Sequence, residues 1–174
     1  MKILLIGPQG SGKSTQGKML ANLLNIPFIS TGDIFRDISK EDSEEGRRIN
    51  QILNSGNLVD DATVIDLVDK RVKQQDCING FILDGTPRTD EQAEKLQIDF
   101  DKVIYLKIPK EKVIERLLRR GRLDDTEDLI EQRLELYFDQ TQPLLDYYKQ
   151  KGSLVEIDAN LDIQTIQDEI KKYI

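Results

Sequence analysis

The first fifteen residues constrain what this chain can fold into more than any other stretch does. Residues 2–6 are an apolar run that leads into a glycine-rich turn and then into a helical pattern. Gly7, Gly12, Lys13 and Ser14 fit the pattern G-x-x-x-x-G-K-[ST]. Glycines let successive backbone N–H groups point into one concavity, and the following helix adds the positive end of its dipole. The stretch therefore predicts a buried strand, a phosphate-binding loop (P-loop) and a helix.

Two side chains of this loop and one distant acid predict how a triphosphate and a metal ion are held. Lys13 supplies a positive charge for β- and γ-phosphates, and the Ser14 hydroxyl is a Mg²⁺ ligand in loops of this pattern. Residues 80–84 are a short apolar run that ends in Asp84, as in a Walker B strand. Asp84 would hold the Mg²⁺ shell, partly through water. The alternative is that Asp84 caps the turn that follows.

The composition excludes several classes of protein. The 174-residue chain has 25 basic and 32 acidic residues, and its net charge of −7 argues against a nucleic-acid or anionic-membrane surface. No apolar run approaches the ~18 residues of a membrane span, and the N-terminus lacks a signal pattern. Cys77 is the single cysteine, more typical of a partly exposed bystander than of a reactive thiol. We therefore predict a cytoplasmic protein of one domain without internal disulfides.

The chain contains no histidine. The commonest general base and the commonest metal ligand are therefore missing. Phosphoryl transfer between phosphates suits such a chain, because the attacking phosphate oxygen is already ionised and needs no strong base.

Apolar runs alternate with helical patterns along the chain, and the runs are continuously apolar. Strands of this kind are typical of a parallel sheet that is covered on both faces. We predict an α/β protein with a five-stranded parallel sheet of the P-loop NTPase type and helices on both faces. Residues 31–59 have a helical pattern without a strand, which predicts an excursion that holds a second substrate. The apolar runs lie at 2–6, 27–30, 80–84, 103–106 and 154–157.

Arginines near the predicted element ends are further candidate site residues. Guanidinium groups bind phosphate oxygens in pairs and stabilise the charge that spreads over a phosphoryl group in transfer. A single arginine is more often a solvated surface residue, and Arg119 is expected to be one. A whole set of arginines near element ends is harder to explain as solvated surface residues in a chain of negative net charge. The set is Arg36, Arg88, Arg116, Arg119, Arg120, Arg122 and Arg133.

Together these motifs resemble those of the adenylate kinase family of nucleoside monophosphate kinases. The resemblance runs nearly from end to end, and the combination is highly specific where a P-loop alone would not be. The motifs that carry it are residues 7–16, Ser30-Thr31-Gly32-Asp33 with Arg36, residues 80–89 with Gln92, Arg122-Leu123-Asp124-Asp125 and Arg133-Leu134.

The resemblance implies a reaction, ATP + AMP ⇌ 2 ADP, with Mg²⁺ as the metal ion and these three nucleotides as partners. It also implies a place for ATP, whose phosphates lie in the loop and whose adenine packs on Arg116. The implied ATP-binding residues are Gly10, Ser11, Gly12, Lys13, Ser14, Thr15, Arg116 and Arg120. The implied metal-binding residues are Ser14 and Asp84.

For AMP, Arg36 and Arg88 match positions that bind the phosphate, while Thr31 and Gln92 match positions that read adenine. Relatives that take UMP or CMP tend to carry Ala at the Thr31 position and Asn near that of Gln92, so both residues favour AMP. The implied AMP-binding residues are Thr31, Arg36, Val59, Val64, Gly85, Arg88 and Gln92. The implied catalytic residues are Lys13, Arg88, Arg120, Arg122 and Arg133, and Asp124 and Asp125 match acids that orient the arginines.

The chain departs from the family pattern in three places. Ser14 stands where Gly is usual, and Thr86 stands where Phe is usual, which removes an aromatic wall beside the AMP site. At the position of the family's lid there is little more than Gly121, so we predict a vestigial lid at 120–123 and no structural zinc. We further predict that ATP hydrolysis without AMP is measurable, because lids exclude water. The predicted core is 1–30, 60–119 and 124–174.

Two other functions stay open at this point. One is a kinase for another acceptor, such as CMP or UMP, which Arg36, Arg88 and Gln92 argue against. The other is a nucleotide-binding module that turns over poorly, which the retained Lys13 and arginines argue against. We predict a monomer or a small homo-oligomer that binds neither nucleic acid nor membrane; a partner subunit that covers the site is an alternative to a lid.

Overall fold

The sheet is parallel throughout. A computed structural model describes residues 1–121 and 125–174 of the chain. Within these ranges the strands are β1 (Lys2–Ile6), β2 (Phe28–Ser30), β3 (Phe81–Asp84), β4 (Lys102–Lys107) and β5 (Leu154–Asp158). They pair in the order β2-β3-β1-β4-β5, and every neighbouring pair is parallel. The prediction of an α/β protein with a five-stranded parallel sheet is confirmed.

Helices connect successive strands and cover the sheet. Among the described residues, no helix is long and apolar enough to cross a membrane. The α-helices are α1 (Lys13–Leu24), α2 (Thr31–Ile38), α3 (Glu44–Asn54), α4 (Asp61–Val72), α5 (Asp90–Leu96), α6 (Lys110–Arg120), α7 (Glu127–Leu136), α8 (Leu144–Gln150) and α9 (Ile163–Lys171). A 3₁₀ turn at Gln75–Cys77 precedes β3.

Both faces of the sheet are buried, which explains why the strand runs are continuously apolar. In β1, Ile3 and Leu5 join one apolar cluster, with side chains of α1, α6 and α9. Leu4 and Ile6 join the cluster on the opposite face, with side chains of α2 to α5 and of α8. All four are at most 3% exposed. Burial of each side chain contributes roughly 1.5–3 kcal/mol, so the central strand is anchored from both sides.

The carboxyl ends of three strands bring the predicted motifs to one edge of the sheet. Asp84 at the end of β3 lies opposite Leu5 of β1 on one side and Ser30 of β2 on the other. The glycine-rich loop follows β1 directly, and α2 follows Ser30 directly. Ligands in open parallel sheets bind beyond these carboxyl ends, so the topology assembles one site from distant segments.

Residues 31–59 contain α2 and α3 and no strand, and all of them are described. The charged residues 40–48 include the start of a helix. The Ser43 hydroxyl accepts a hydrogen bond from the Gly46 N–H, which caps α3 one residue before Glu44. Ile49 of α3 is fully buried in the apolar cluster that also contains Phe35 of α2 and Val64 of α4, so α3 is not merely solvated.

The helical stretch before Pro143 changes its winding. After α7 the chain forms a π-helical turn at Tyr137–Thr141, in which the Gln142 N–H donates to the Tyr137 carbonyl at 2.8 Å. Proline has no N–H and clashes with the preceding turn of an α-helix. The wider π-helical turn accommodates the proline, and α8 then starts at Leu144.

Candidate active site

The loop between β1 and α1 depends on glycine at two positions. Gly12, the N-cap of α1, has φ +98° and ψ 6°, and Gly10 has φ +82°. Side chains are strained in this left-handed region. At Gly12 the conformation alone requires glycine, since a Cβ atom would meet nothing within 4 Å. At Gly10 a Cβ atom would also lie 3.0 Å from the Leu117 Cγ atom of α6.

The Lys13 side chain folds back over the loop. Its ammonium group donates to the carbonyl oxygens of Gly7 at 2.7 Å and Pro8 at 2.9 Å. Burial lowers the pKa of Lys13, while the nearby Asp84 carboxylate acts in the opposite direction. Arg88 and Arg120 lower the pKa of Lys13 further by charge repulsion. The ammonium group therefore lies close to other cations, and a bound anion would reduce the repulsion among them.

Ser14 and Asp84 meet beside this ammonium group. The Ser14 hydroxyl donates to the Asp84 carboxylate at 3.0 Å, and Asp84 is only 5% exposed. Among residues 1–121 and 125–174, no group of three acidic, histidine or cysteine side chains is placed to hold a metal ion. Mg²⁺ needs no such cage, because it keeps waters and phosphate oxygens and takes only one or two protein oxygens. The Ser14 and Asp84 oxygens fit that requirement.

The turn after β3 positions Arg88. Its Nε donates to the carbonyl oxygen of Gly85 at 2.8 Å. Burial lowers the pKa of Arg88, Asp84 opposes that shift, and repulsion from Arg133 and Arg36 adds to it. Arginine stays protonated in proteins, so this buried cation is held close to other cations. Such a cluster is unfavourable by itself and suits an anionic ligand.

Arg36 stands on α2 near the same cluster. Its guanidinium forms a short ion pair with Asp33, one turn earlier in the helix. Arg36 remains one-third exposed at the side chain, so the pair leaves part of the guanidinium accessible. The arrangement orients the cation without burying it.

A chain of hydroxyl groups links the start of α2 to the turn after β3. The Thr31 hydroxyl donates to the backbone carbonyl of Asp84 at 3.3 Å. It accepts a hydrogen bond from the Thr86 hydroxyl at 3.1 Å. Thr31 and Thr86 are each 2% exposed. Thr86, where the family usually has Phe, thus supplies a polar contact in place of an aromatic ring.

Gln92 is held at both ends of its amide. Its oxygen accepts from the Arg88 backbone N–H at 2.7 Å, and its nitrogen donates to the Asp61 carboxylate at 2.7 Å. Val59 and Val64, 6% and 5% exposed, belong to the apolar cluster that backs this part of the site. A buried amide beside an apolar wall is suited to bind a flat heterocyclic base.

The ends of α6 and α7 bring two more arginines to the loop. Arg120 pairs with Asp125 through Nε at 2.8 Å and Nη2 at 2.6 Å, and the Asp125 side chain is fully buried. With its oxygen turned towards the arginines, the Gln9 amide accepts from Arg120 at 3.1 Å and from Arg133 at 3.3 Å. Arg133 also donates to the carbonyl of Leu53, at the end of α3, at 3.2 Å.

Of the remaining predicted residues, one contacts the end of the sheet, one lies at the surface and two lie outside the described residues. Arg116 donates to the Ala159 carbonyl at 2.9 Å, beyond the end of β5. Arg119 pairs with Glu115 and its side chain is 80% exposed, as a surface residue would be. Arg122 and Asp124 lie outside the described residues, so the predicted vestigial lid is only described at its first two positions, which include Gly121.

One cavity of about 400 Å³ collects nearly all of the predicted positions that the structure describes. Ser11 is the exception, since it is fully buried under the loop. Predicted residues along the cavity wall are Gly10, Gly12, Lys13, Ser14, Thr15, Thr31, Arg36, Val59, Val64, Asp84, Gly85, Arg88, Gln92, Arg116, Arg120 and Arg133.

Two residues with contacts in the site were missed by the sequence-based prediction. Gln9 occupies a variable position of the P-loop pattern, so the spacing gives no signal for it. Asp61 lies in the first turn of α4, where an acid is ordinarily explained by the helix dipole. Only their contacts with Arg120, Arg133 and Gln92 identify them.

Comparisons with known proteins decide the family. A family model described as adenylate kinase matches residues 5–153. The chain is 40% identical to the adenylate kinase of Corynebacterium urealyticum over 97% of its own length and 96% of that protein's. Adenylate kinases of Mycobacterium sp. strain MCS and Cyanothece sp. strain PCC 7425 are 43% and 42% identical, with at least 93% of each chain covered.

The chain belongs to the adenylate kinase family. The family resemblance predicted from the motifs is therefore confirmed, and so is the prediction of an ATP:AMP phosphotransferase over the two alternatives. The family model covers both the P-loop and the arginine-bearing helices α6 and α7 of the chain. The high coverage on both sides means that the comparison concerns whole chains and not a shared motif.

Proposed function

We propose that the cavity transfers the γ-phosphoryl group of ATP to AMP, reversibly, with the residue roles given below. The observation that carries the proposal is the convergence of five cations on one cavity, namely Lys13, Arg36, Arg88, Arg120 and Arg133. Lys13 is repelled by Arg88 and Arg120, and Arg88 in turn by Arg133 and Arg36. Such a cluster of positive charge suits the phosphates of two nucleotides.

The reaction needs positioning and electrostatic stabilisation more than proton transfer. The attacking oxygen of the AMP phosphate is ionised at neutral pH, so the lack of histidine is no obstacle. Lys13 and the loop N–H groups hold the donor phosphates. Arg88 holds the acceptor phosphate, and Arg120 and Arg133 stabilise the charge of the phosphoryl group between them. Arg122 stays a predicted member of this clamp.

Ser14 and Asp84 are the residues that would hold Mg²⁺. When bound, Mg²⁺ neutralises charge on the phosphate oxygens during transfer. Asp84 also interacts with Lys13 and Arg88 and opposes the lowering of their pKa values by burial, so it helps to keep both groups charged. Magnesium dependence is accordingly part of the proposal.

Asp125 and Gln9 orient the clamp. Asp125 takes two hydrogen bonds from Arg120, which leaves little rotational freedom to that guanidinium. Gln9 joins Arg120 to Arg133, and Arg133 reaches the end of α3 through the Leu53 carbonyl. We propose that this contact couples the 31–59 excursion to the clamp and so compensates in part for a short lid.

The division into a core, a nucleotide-binding excursion and a vestigial lid remains a proposal. It predicts that ATP hydrolysis in the absence of AMP is faster than in a family member with a full lid, since water reaches the γ-phosphate more easily. Release of inorganic phosphate from ATP alone measures this. A background no higher than that of the lidded member would contradict it.

Location and assembly also remain predictions. A cytoplasmic location suits a chain with a single cysteine; Cys77 is 5% exposed, so the prediction that it is partly exposed is wrong. A monomer or small homo-oligomer is expected, and sizing at several protein concentrations tests it.

The test of the proposed function is a panel of acceptors. ATP and Mg²⁺ are supplied with AMP, GMP, CMP or UMP, and formation of the nucleoside diphosphates is followed. We expect AMP to be used far better than the other three. Strong turnover with CMP or UMP would indicate a different acceptor, and no turnover with any of them would indicate a binding module.

A further inference from the structure

A glutamine amide can present either of two polarities to a ligand. Its oxygen only accepts hydrogen bonds and its nitrogen only donates them. Rotation of the amide by 180° exchanges the two, so a glutamine that rotates freely can pair with a 6-amino purine or with a 6-oxo purine. What surrounds the amide therefore decides which base it selects.

The Gln92 amide cannot rotate without loss. The Arg88 backbone N–H can only donate, and it lies 2.7 Å from the amide oxygen. The Asp61 carboxylate can only accept when ionised, and it lies 2.7 Å from the amide nitrogen. A rotated amide would lose both hydrogen bonds and would set oxygen against carboxylate and nitrogen against N–H. Because Gln92 is 1% exposed, water cannot replace the lost bonds.

Asp61 is itself held at the junction of two helices. It is the first residue of α4, and its second carboxylate oxygen accepts from the Thr89 hydroxyl at 3.3 Å. Thr89 caps α5 by accepting from the Gln92 N–H at 3.1 Å. The Thr89 cap of α5 therefore fixes the Asp61 carboxylate relative to the Gln92 amide.

The one free amide hydrogen and the one free oxygen lone pair of Gln92 remain for a ligand in the cavity that Gln92 lines. They match a 6-amino purine, which donates from its amino group and accepts at the ring nitrogen. A 6-oxo purine presents the opposite pattern, because it accepts at position 6 and donates from N1.

Thr31 has the same polarity towards the cavity. Its hydrogen is committed to the Asp84 carbonyl, which can only accept, at 3.3 Å. The Thr86 hydroxyl must then be the donor in the 3.1 Å contact with Thr31. The Thr31 hydroxyl can therefore accept a hydrogen bond from a ligand but cannot donate one. The Gln92 amide oxygen likewise presents an acceptor to the cavity.

We propose that Asp61 is a specificity-determining positioning residue, which selects 6-amino over 6-oxo purine nucleotides by fixing the polarity of the Gln92 amide. The proposal rests on the proposed use of AMP as acceptor. It concerns a residue that touches Gln92 and not the nucleotide.

The test compares AMP with IMP, its 6-oxo counterpart, as acceptors for three variants. Asp61→Asn removes the charge and keeps an amide oxygen that can accept from the Gln92 nitrogen. Asp61→Ala removes the acceptor altogether. Asp60→Asn is the matched control, because Asp60 caps α4 and pairs with Arg48 and has no contact with Gln92. Thermal unfolding checks that each variant is folded, and kcat/KM is measured for both acceptors.

We expect Asp61→Ala to lower the AMP-to-IMP ratio of kcat/KM about tenfold or more, since a hydrogen bond to a charged group contributes at least that factor. Asp61→Asn lowers the ratio less than Asp61→Ala does, because its amide oxygen can still accept from the Gln92 nitrogen, and Asp60→Asn leaves the ratio within about twofold. A purely structural role predicts that Asp61→Ala affects both acceptors equally and leaves the ratio unchanged. An unchanged ratio in Asp61→Ala, or a ratio that Asp61→Asn lowers more than Asp61→Ala does, would overturn the proposal. Wild-type protein inactive with AMP would instead refute the proposed function.

Discussion

Arg88 offers the sharpest separation between a functional and a structural role. Within residues 1–121 and 125–174 its guanidinium makes one hydrogen bond, from Nε to the Gly85 carbonyl, and burial together with Arg133 and Arg36 lowers its pKa. A pKa that is lower in the folded than in the unfolded protein means that the charge of Arg88 opposes folding at neutral pH. We therefore predict that Arg88→Ala damages catalysis and hardly changes stability.

The two magnitudes follow from different interactions. Loss of one charge-assisted clamp on a transferring phosphoryl group costs about 3 kcal/mol, which corresponds to a rate lowered roughly 150-fold. Loss of the Gly85 hydrogen bond costs about 1 kcal/mol of folding free energy. Relief of the repulsion from Arg133 and Arg36 offsets that loss. The free energy of unfolding should consequently stay within about 1 kcal/mol of the wild-type value.

A coupled assay of ADP formation from ATP and AMP, together with urea unfolding, measures both quantities. Arg88→Lys keeps the charge and loses the paired geometry, so its rate should lie between those of wild type and Arg88→Ala. Arg119→Ala is the control, because Arg119 is exposed and pairs only with Glu115 among the contacts described.

A rate for Arg88→Ala within about threefold of wild type would refute the assigned role. A large loss of stability would refute the electrostatic reasoning, since it would show that the buried charge holds the fold together.

Three further predictions concern the loop, the core and the N-terminal cap of α4. Lys13→Ala should lower kcat/KM by the same factor for every acceptor, because Lys13 serves the donor phosphates; an acceptor-dependent loss would contradict this. Gly17→Ala should lower the free energy of unfolding by about 1–3 kcal/mol in urea titrations, because a Cβ atom would lie 2.4 Å from the Phe28 ring. Asp60 has its pKa lowered from 3.8 to about 2, mainly by the Thr63 N–H. Its contribution, at most about 1 kcal/mol at this exposed site, is present above pH 3.8 and is lost as the pH falls towards 2. Thermal unfolding of wild type and Asp60→Asn should therefore converge over that interval.

The P-loop could be predicted in full because its requirements are local. The spacing of Gly12 and Lys13 and the apolar run before them determine a strand, a turn and a helix without reference to the rest of the chain. The structure has α1 at Lys13–Leu24, over the residues predicted. The parallel sheet followed for a similar reason, since strands buried on both faces need continuously apolar side chains.

Contacts between distant segments that no motif marks could not be predicted from the sequence. Asp61 and Gln92 are 31 positions apart, and nothing local at either residue indicates that one holds the amide of the other. The start of α3 was hidden for another reason, since its charged first turn looks solvated until the Ser43 cap is seen. The residues that match family motifs could be named from the sequence. Gln9 and Asp61, which position some of these residues, became visible only in the structure.

The most direct test of the central claim uses ADP as the only nucleotide. The purified protein is mixed with ADP and Mg²⁺, and ³¹P NMR follows the products over time. If the cavity holds two nucleotides and passes a phosphoryl group between them, ATP and AMP appear in equal amounts until equilibrium, and Lys13→Ala slows both equally. Accumulation of inorganic phosphate without ATP would contradict the assignment of donor and acceptor sites to this cavity.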